Sequence, residues 1–136
     1  MASIRKDIPI DAPAEEVWAA IRDVGAIHRR LATGFVTDTQ MDGEDARVVT
    51  FANGLVVREL IVDVDDAQRR LAYAAVGGRS RHHNASFQVF PDGPDRARVT
   101  WIADVLPHEV AAPIGEMMEA GARAMQRTLS AAGSRA

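Results

Sequence analysis

The chain has 136 residues, 47% of them hydrophobic but only 5% aromatic, a length that fits one domain spanning 1–136 with its own core. With 24 alanines and 10 glycines, 34 positions carry almost no side chain, so a large curved sheet made from this chain would lack bulk to fill its concave side. A formal charge of -3 with a single lysine, Lys6, excludes the basic excess of a nucleic-acid binder and a polybasic membrane arm; the lack of cysteine excludes disulfides, thiolate nucleophiles and Cys-ligated metals. Taken in chain order, Ile4, Lys6, Ile8 and Ile10 alternate with Arg5, Asp7 and Pro9, which predicts a first strand with one mostly apolar face. Asp11 and Ala12 then precede Pro13, with Glu15 and Glu16 behind it: a cap, a first-turn proline and carboxylates at the positive end of a helix dipole. Val17, Trp18, Ile21 and Val24 recur at helical spacing, and Gly25 is placed to end that helix in a left-handed conformation before a second short helical turn, Ala26 to Leu31.

From Gly34 to Leu106 the pattern becomes six more strands, separated at Met41-Asp42-Gly43, Asn53-Gly54, Asp65-Asp66, Gly77-Gly78 and Pro91-Asp92-Gly93-Pro94-Asp95. Asn53-Gly54 predicts a tight type I′ hairpin, and the sheet reads as largely an antiparallel meander. After Pro107 the period returns to 3.6, with Ile114, Met117, Met118, Gly121, Ala122, Met125 and Leu129 on one face of a long helix. The fold class is therefore α+β: a seven-stranded curved antiparallel sheet wrapped round a long C-terminal helix, with two short helices after strand one. The N-terminus lacks the apolar run of a signal peptide and no stretch approaches the ~18 apolar residues of a membrane span, so a cytoplasmic location without membrane partners is expected.

Alternation on the sixth strand turns Arg81, His83, Ala85, Phe87 and Val89 inward; on the fifth it turns Leu71, Tyr73 and Ala75 to one face. The fourth strand reads two ways, with Val57, Glu59 and Ile61 inward, or Val56, Arg58, Leu60, Val62 and Val64. On the seventh, Ala97, Val99, Trp101, Ala103 and Val105 are inside and Thr100 and Asp104 outside. An inward Glu59 needs a partner, for which Arg81 is the candidate. Small residues at Ala75, Ala85, Gly121 and Ala122 leave space on the concave side unless Phe87, Trp101 or Tyr73 fills it; a genome biased to alanine and arginine is the competing cause of so much alanine. His82 and His83 lie on opposite faces of a strand and cannot chelate one metal, no His-Glu-x-x-His helix or Gly-x-Ser-x-Gly elbow exists, and no cofactor or covalent nucleophile is indicated. Arg29-Arg30 and Arg69-Arg70 read as solvated surface doublets.

The opening Ile8-Pro9-Ile10-Asp11-Ala12-Pro13-Ala14-Glu15-Glu16-Val17-Trp18, the run Val57-Arg58-Glu59-Leu60 through Asp65-Asp66, then Arg70-Leu71-Ala72-Tyr73 and Val99-Thr100-Trp101 together resemble the SRPBCC superfamily. This is the START-like helix-grip fold of birch pollen allergen relatives, bacterial polyketide cyclases and plant abscisic acid receptors, and the resemblance spans nearly the whole chain. It implies a cavity between helix and sheet whose ligand-binding wall holds Val57, Glu59, Tyr73, Ala75, Arg81, Ala85 and Phe87, with Pro113, Met117 and Gly121 on the helix, to which the alternation of the sixth strand adds His83; the resemblance also decides the fourth strand in favour of Glu59. Against the hormone receptors, His82 stands where their latch has an apolar residue and the gate proline is absent at Asn53-Gly54-Leu55-Val56, so hormone sensing does not follow. The expected function is binding of a hydrophobic small molecule, lipid-, aromatic- or polyketide-like, by a monomer or homodimer. The alternative is a cyclase/dehydratase-type enzyme using His83 or Glu59 as general acid/base with Arg81 stabilising an enolate. A third reading is a protein-interaction or chaperone-like module presenting Val56, Leu60 and Val62 outward.

Overall fold

The computed structural model describes residues 2–134, with side chains up to Ser130. Strand β1 (Ala2–Ile10) leads into helix α1 (Ala14–Arg22) and a π-helical turn, Ile27–Leu31. Strands β2 (Val36–Met41), β3 (Ala46–Phe51), β4 (Val56–Asp65), β5 (Arg70–Val76), β6 (His82–Pro91) and β7 (Ala97–Leu106) follow, and then a short 3-10 turn, His108–Val110, runs into helix α2 (Ala111–Ser134). The strand order is β1-β7-β6-β5-β4-β3-β2, with each neighbouring pair antiparallel. Consecutive hairpins build β2 to β7, and β1 closes on β7, so the expected α+β architecture is the one observed.

α1 starts at Pro13, which takes the N-cap position in an extended conformation and accepts from the Glu16 and Val17 amides; Asp11 is not the cap. Proline suits the site because it has no N–H to leave unpaired there. The buried face of α1 is Val17, Trp18, Ala20 and Ile21. The Trp18 indole N–H donates to Asp66 Oδ1 at 2.9 Å, and Arg22 donates to the same carboxylate, tying α1 to the β4–β5 turn. The helix ends at Arg22 through Asp23, and Gly25 has no left-handed φ, in contrast to the expected glycine stop.

Alternation sets the concave face. Ile8, Ile10, Leu71, Val99, Ala103 and Val105 are each at most 2% exposed, and each of the isoleucine, leucine and valine side chains contributes about 1.5–3 kcal/mol through burial. α2 packs over this face with Met118, Ala122, Ala124, Met125 and Leu129 buried, and Lys6 Nζ on β1 meets Glu119 Oε2 at 2.7 Å. On the outer face Thr100 donates to Asp7, while Asp104 accepts from Ser3 and Asn84, so Asp104 does not turn inward. β4 follows the first of its two sequence readings, and of the second set only Val64 turns inward. Val57, Glu59 and Ile61 face inward, and a register shift between Ile61 and Asp63 then brings Val64 against the core while Val56, Leu60 and Val62 stay exposed.

The β3–β4 hairpin departs from the expected type I′ turn. Gly54 N–H donates to Phe51 O, Phe51 N–H donates to Leu55 O, and Gly54 alone has positive φ, at 91°. This is the three-residue loop in which a type I turn is completed by a left-handed glycine, and Asn53 Oδ1 accepts from the Leu55 amide across it.

Candidate functional site

Between the first turns of α2 and the concave face of β4–β6 lies a cavity of about 380 Å³, within the range of small-molecule sites. Val57, Glu59, Tyr73, Ala75 and His83 form its sheet side, Pro113, Ile114, Met117 and Met118 its helix side, and Phe35, Phe51 and Trp101 line it as well. The β3–β4 hairpin with Leu55 and Val56, and the loop Gly77-Gly78-Arg79-Ser80, border its mouth. Gly77 and Gly78 both have positive φ, at 89° and 72°, a backbone course that other residues adopt only under strain. A larger groove of about 610 Å³ runs outside, between α1, Arg29, Arg30 and Leu129, but its charged residues Glu16, Arg29 and Arg30 are all exposed, and its Thr33 amide is already held by the Thr128 hydroxyl. The smaller cavity is the candidate site.

Aromatic rings built on three adjacent strands shape the cavity floor. Tyr73 stacks on Phe87 at 5.8 Å between centroids, Phe87 stacks on Trp101 at 4.8 Å, and Phe35 meets Phe51 edge-on at 5.3 Å. The Trp101 indole N–H donates to the Tyr73 hydroxyl at 3.1 Å, which satisfies the inner tryptophan and occupies the oxygen of the one tyrosine. Burial pushes the Tyr73 hydroxyl well above its ordinary pKa, and the Glu59 charge adds to that shift.

Glu59 is the buried acid of the wall, 7% exposed, and its partner is Arg47 rather than Arg81. Arg47, 2% exposed, donates from Nε to Glu59 Oε1 at 2.9 Å and from Nη1 to the Val24 carbonyl at 3.2 Å, with its guanidinium 5.4 Å from the Tyr73 ring centroid. Burial raises the Glu59 pKa and the Arg47 charge opposes it, leaving the net direction upward. His83 is half-buried at the opposite flank; burial first, and the neighbouring His82 second, hold its imidazole below its ordinary pKa.

Of the residues placed on the wall from sequence, Val57, Glu59, Tyr73, Ala75, His83, Pro113 and Met117 border the cavity. Ala85 and Phe87 are buried behind it. Arg81 is not on the wall: β6 begins at His82, and Arg81 is exposed, with its backbone N–H donating to Leu106 O. Gly121 is not an opening either, because a Cβ there would meet Phe35 Cε2 at 3.1 Å and Trp101 Cη2 and Cζ3 at 3.2 Å. Sequence reasoning missed Arg47, Phe35 and Phe51. The expected two-residue turn would pair Ala52 with Leu55 and set Arg47 opposite Leu60, whereas the three-residue loop pairs Phe51 with Leu55 and sets Arg47 opposite Glu59. Phe35 precedes β2, where no alternation applies.

Among the described residues no helix is long and apolar enough to cross a membrane, and no group of three or more His, Cys, Asp or Glu is gathered as a metal site would need. No curated protein matches the chain. Similar solved structures include an uncharacterised protein from Bacillus thuringiensis, with TM-score 0.83 at 17% identity over 94% of this chain and 98% of that one. A START superfamily protein from Mycobacterium smegmatis matches with TM-score 0.75 at 11% identity over 98% and 97%. A point mutant of norcoclaurine synthase from Thalictrum flavum, in complex with a transition state analogue, matches with TM-score 0.69 at 20% identity over 94% and 93%. At these identities the likeness is one of fold. The family described as polyketide cyclase / dehydrase and lipid transport matches residues 1–135. With that match across almost the whole length and a START superfamily protein among its structural neighbours, the chain belongs to the polyketide cyclase / dehydrase and lipid transport family and has an SRPBCC-type helix-grip fold.

Proposed function

We propose that the protein binds an apolar small molecule in the cavity between α2 and β4–β6. The observation that carries this reading is an open-mouthed cavity of about 380 Å³ with mostly apolar and aromatic walls and one buried carboxylate at its edge. The rim supports it: Leu55, Val56 and Val76 are 45%, 58% and 48% exposed, all at the cavity border, giving an apolar ligand a graded path from water. The third reading, a protein-interaction face, retains only Leu60 and Val62 once Val56 is counted with the rim, too few side chains for a docking patch.

The cyclase/dehydratase reading loses two of its three catalytic parts. Arg81 is outside the cavity and so offers no charge to a developing enolate, and Glu59 Oε1 is engaged by Arg47. Glu59 and His83 stand on β4 and β6 with β5 between them, roughly 9–10 Å apart by strand spacing, so they face opposite flanks of a bound molecule rather than one atom.

Binding is tested with the neutral fluorophore N-phenyl-naphthylamine. Wild-type protein should enhance its fluorescence saturably, and Ala75→Phe, which puts a ring into the space while leaving the strand pairing intact, should weaken binding about tenfold or more. Equal binding by the two proteins, or none by either, removes the proposal.

A further inference from the structure

The polar edge of the cavity restricts the chemistry of its occupant, and three side chains set the restriction. Glu59 turns Oε1 to Arg47 and borders the cavity, and no partner for its second oxygen, Oε2, is found among the described residues. Arg47 does not border the cavity; it lies behind Glu59, fully buried and held by the Val24 carbonyl. The carboxylate charge is therefore balanced from behind, while its free oxygen lacks a donor in front. Tyr73 has its oxygen occupied by the Trp101 N–H, which leaves its own O–H to donate, and no hydrogen bond joins Tyr73 to Glu59. The two residues share a face of adjacent strands as diagonal neighbours, Glu59 opposite Ala75 and Tyr73 opposite Ile61.

We infer that the cavity takes an uncharged, ring-containing molecule with a hydroxyl group, which donates to Glu59 Oε2 and accepts from the Tyr73 O–H. A hydroxyl does both from a single oxygen. A ketone or ether oxygen satisfies Tyr73 but leaves Glu59 Oε2 facing it with no donor. A carboxylate sets a second anion against Glu59 inside an apolar wall, and an ammonium sets a second cation near Arg47 with one carboxylate to share. The ring requirement comes from Phe35, Phe51 and Trp101, whose faces and edges suit a flat hydrocarbon better than a flexible chain. Burial raises the Glu59 pKa, but only its ionised form satisfies the buried Arg47, so acceptance remains its role at neutral pH.

This inference rests on the cavity-binding reading, and calorimetry with three probes substituted at the same ring position separates the two. The probes are naphthol, its methyl ether and naphthoate, titrated into the full chain at neutral pH. Naphthol should bind about tenfold or more tighter than the ether, because a hydrogen bond to a charged acceptor is made only by the hydroxyl, and naphthoate should bind weakest. Tyr73→Phe leaves the Arg47–Glu59 pair in place and should weaken naphthol and the ether alike, since both accept from Tyr73. Equal affinity for naphthol and ether, naphthoate as the tightest probe, or Tyr73→Phe without effect overturns the hydroxyl assignment even when all three bind. Failure of all three, with the neutral fluorophore also silent, overturns the cavity-binding reading and this inference with it.

Discussion

The two ends of α2 lie over one sheet but meet opposite surroundings. From Gly121 to Leu129 the helix is pressed into the core: Ala124, Met125 and Leu129 are at most 3% exposed, and the indole of Trp101 lies so close that a Cβ on Gly121 would be 3.2 Å from it. One turn earlier, Pro113, Ile114 and Met117 are more exposed and look into the cavity. Trp101 makes the difference, because its ring fills the space beneath Gly121 and ends there, and the neighbouring strands then offer Ala75 and Glu59 instead of bulk. A small residue is thus no measure of empty space. Gly121 is small because a ring needs to approach the helix, whereas small Ala75 leaves room unfilled. The scarcity of aromatics has the same lesson: of seven in the chain, Phe35, Phe51, Tyr73 and Trp101 border the cavity and Phe87 stacks between the last two.

The largest effect should come from the charged pair at the boundary of the two regions. Arg47→Ala leaves Glu59 buried without its counter-charge and should destabilise the fold by about 3–5 kcal/mol, read as a drop in the urea midpoint. Replacing both partners with apolar residues of similar size, Arg47→Met with Glu59→Leu, should restore most of that loss, since neither charge is then left alone. If the double variant is as unstable as Arg47→Ala, the pair is not compensating in the way its geometry indicates. Recovered stability with lost naphthol binding would place Glu59 on the ligand side of the boundary.

Next in size is a contrast within α2 itself. Met125→Ala, at a site 1% exposed, should cost about 2–4 kcal/mol through lost burial and a residual void. Met117→Ala, on the cavity wall, removes contacts from a side chain already facing open space and should cost under about 1 kcal/mol while enlarging the site. Equal losses at the two methionines would mean that the cavity end is as tightly packed as the rest, and the comparison between them would collapse.

Much of this arrangement was legible in the sequence, and what was not has identifiable causes. Period-two alternation with Pro13 and the 3.6-residue face of α2 specify the element order, because each strand has one buried side and the helix one buried stripe. The orientations of β5, β6 and β7 follow, and with them Tyr73, Ala75, His83 and Trp101 at the cavity. Alternation fails where the backbone departs from it. It carried Arg81 inward, but the Gly77-Gly78 loop keeps that residue ahead of the strand, and in β4 a bulge after Ile61 turns Val64 inward although the alternation from Glu59 points it out. Arg47 escaped because an arginine on a strand reads as solvent-facing, and only cross-strand register brings it opposite Glu59. Local composition also named the wrong turn at Asn53-Gly54, since one left-handed glycine after a type I turn serves the hairpin as well as a pair of positive φ values.

The smallest effect separates the cavity flank from the exposed surface by pH. His83 is half-buried beside the cavity, and burial, with His82 nearby, holds its folded pKa below the ordinary 6.5. As pH falls through 6.5 the unfolded chain takes up the proton before the folded one, so His83 lowers stability from there down to its folded pKa. His83→Gln should flatten that decline, seen as converging urea midpoints for the two proteins near neutrality and a higher midpoint for the variant in mild acid. Other groups act elsewhere and cancel in the comparison. Asp7, Asp66 and Glu119 are held below their ordinary values by Arg5, Arg22 and Lys6, so their stabilisation is lost only as pH falls through the carboxylate range. Glu59 has the reverse sign: its raised folded pKa makes stability decline as pH rises from its ordinary 4.5 through the folded value. His82→Gln serves as the control, because His82 is exposed on the outer face, where its ring meets the Asn84 side chain, and is the second influence on His83. An acid slope that persists in His83→Gln but disappears in His82→Gln would move the titrating group off the cavity wall.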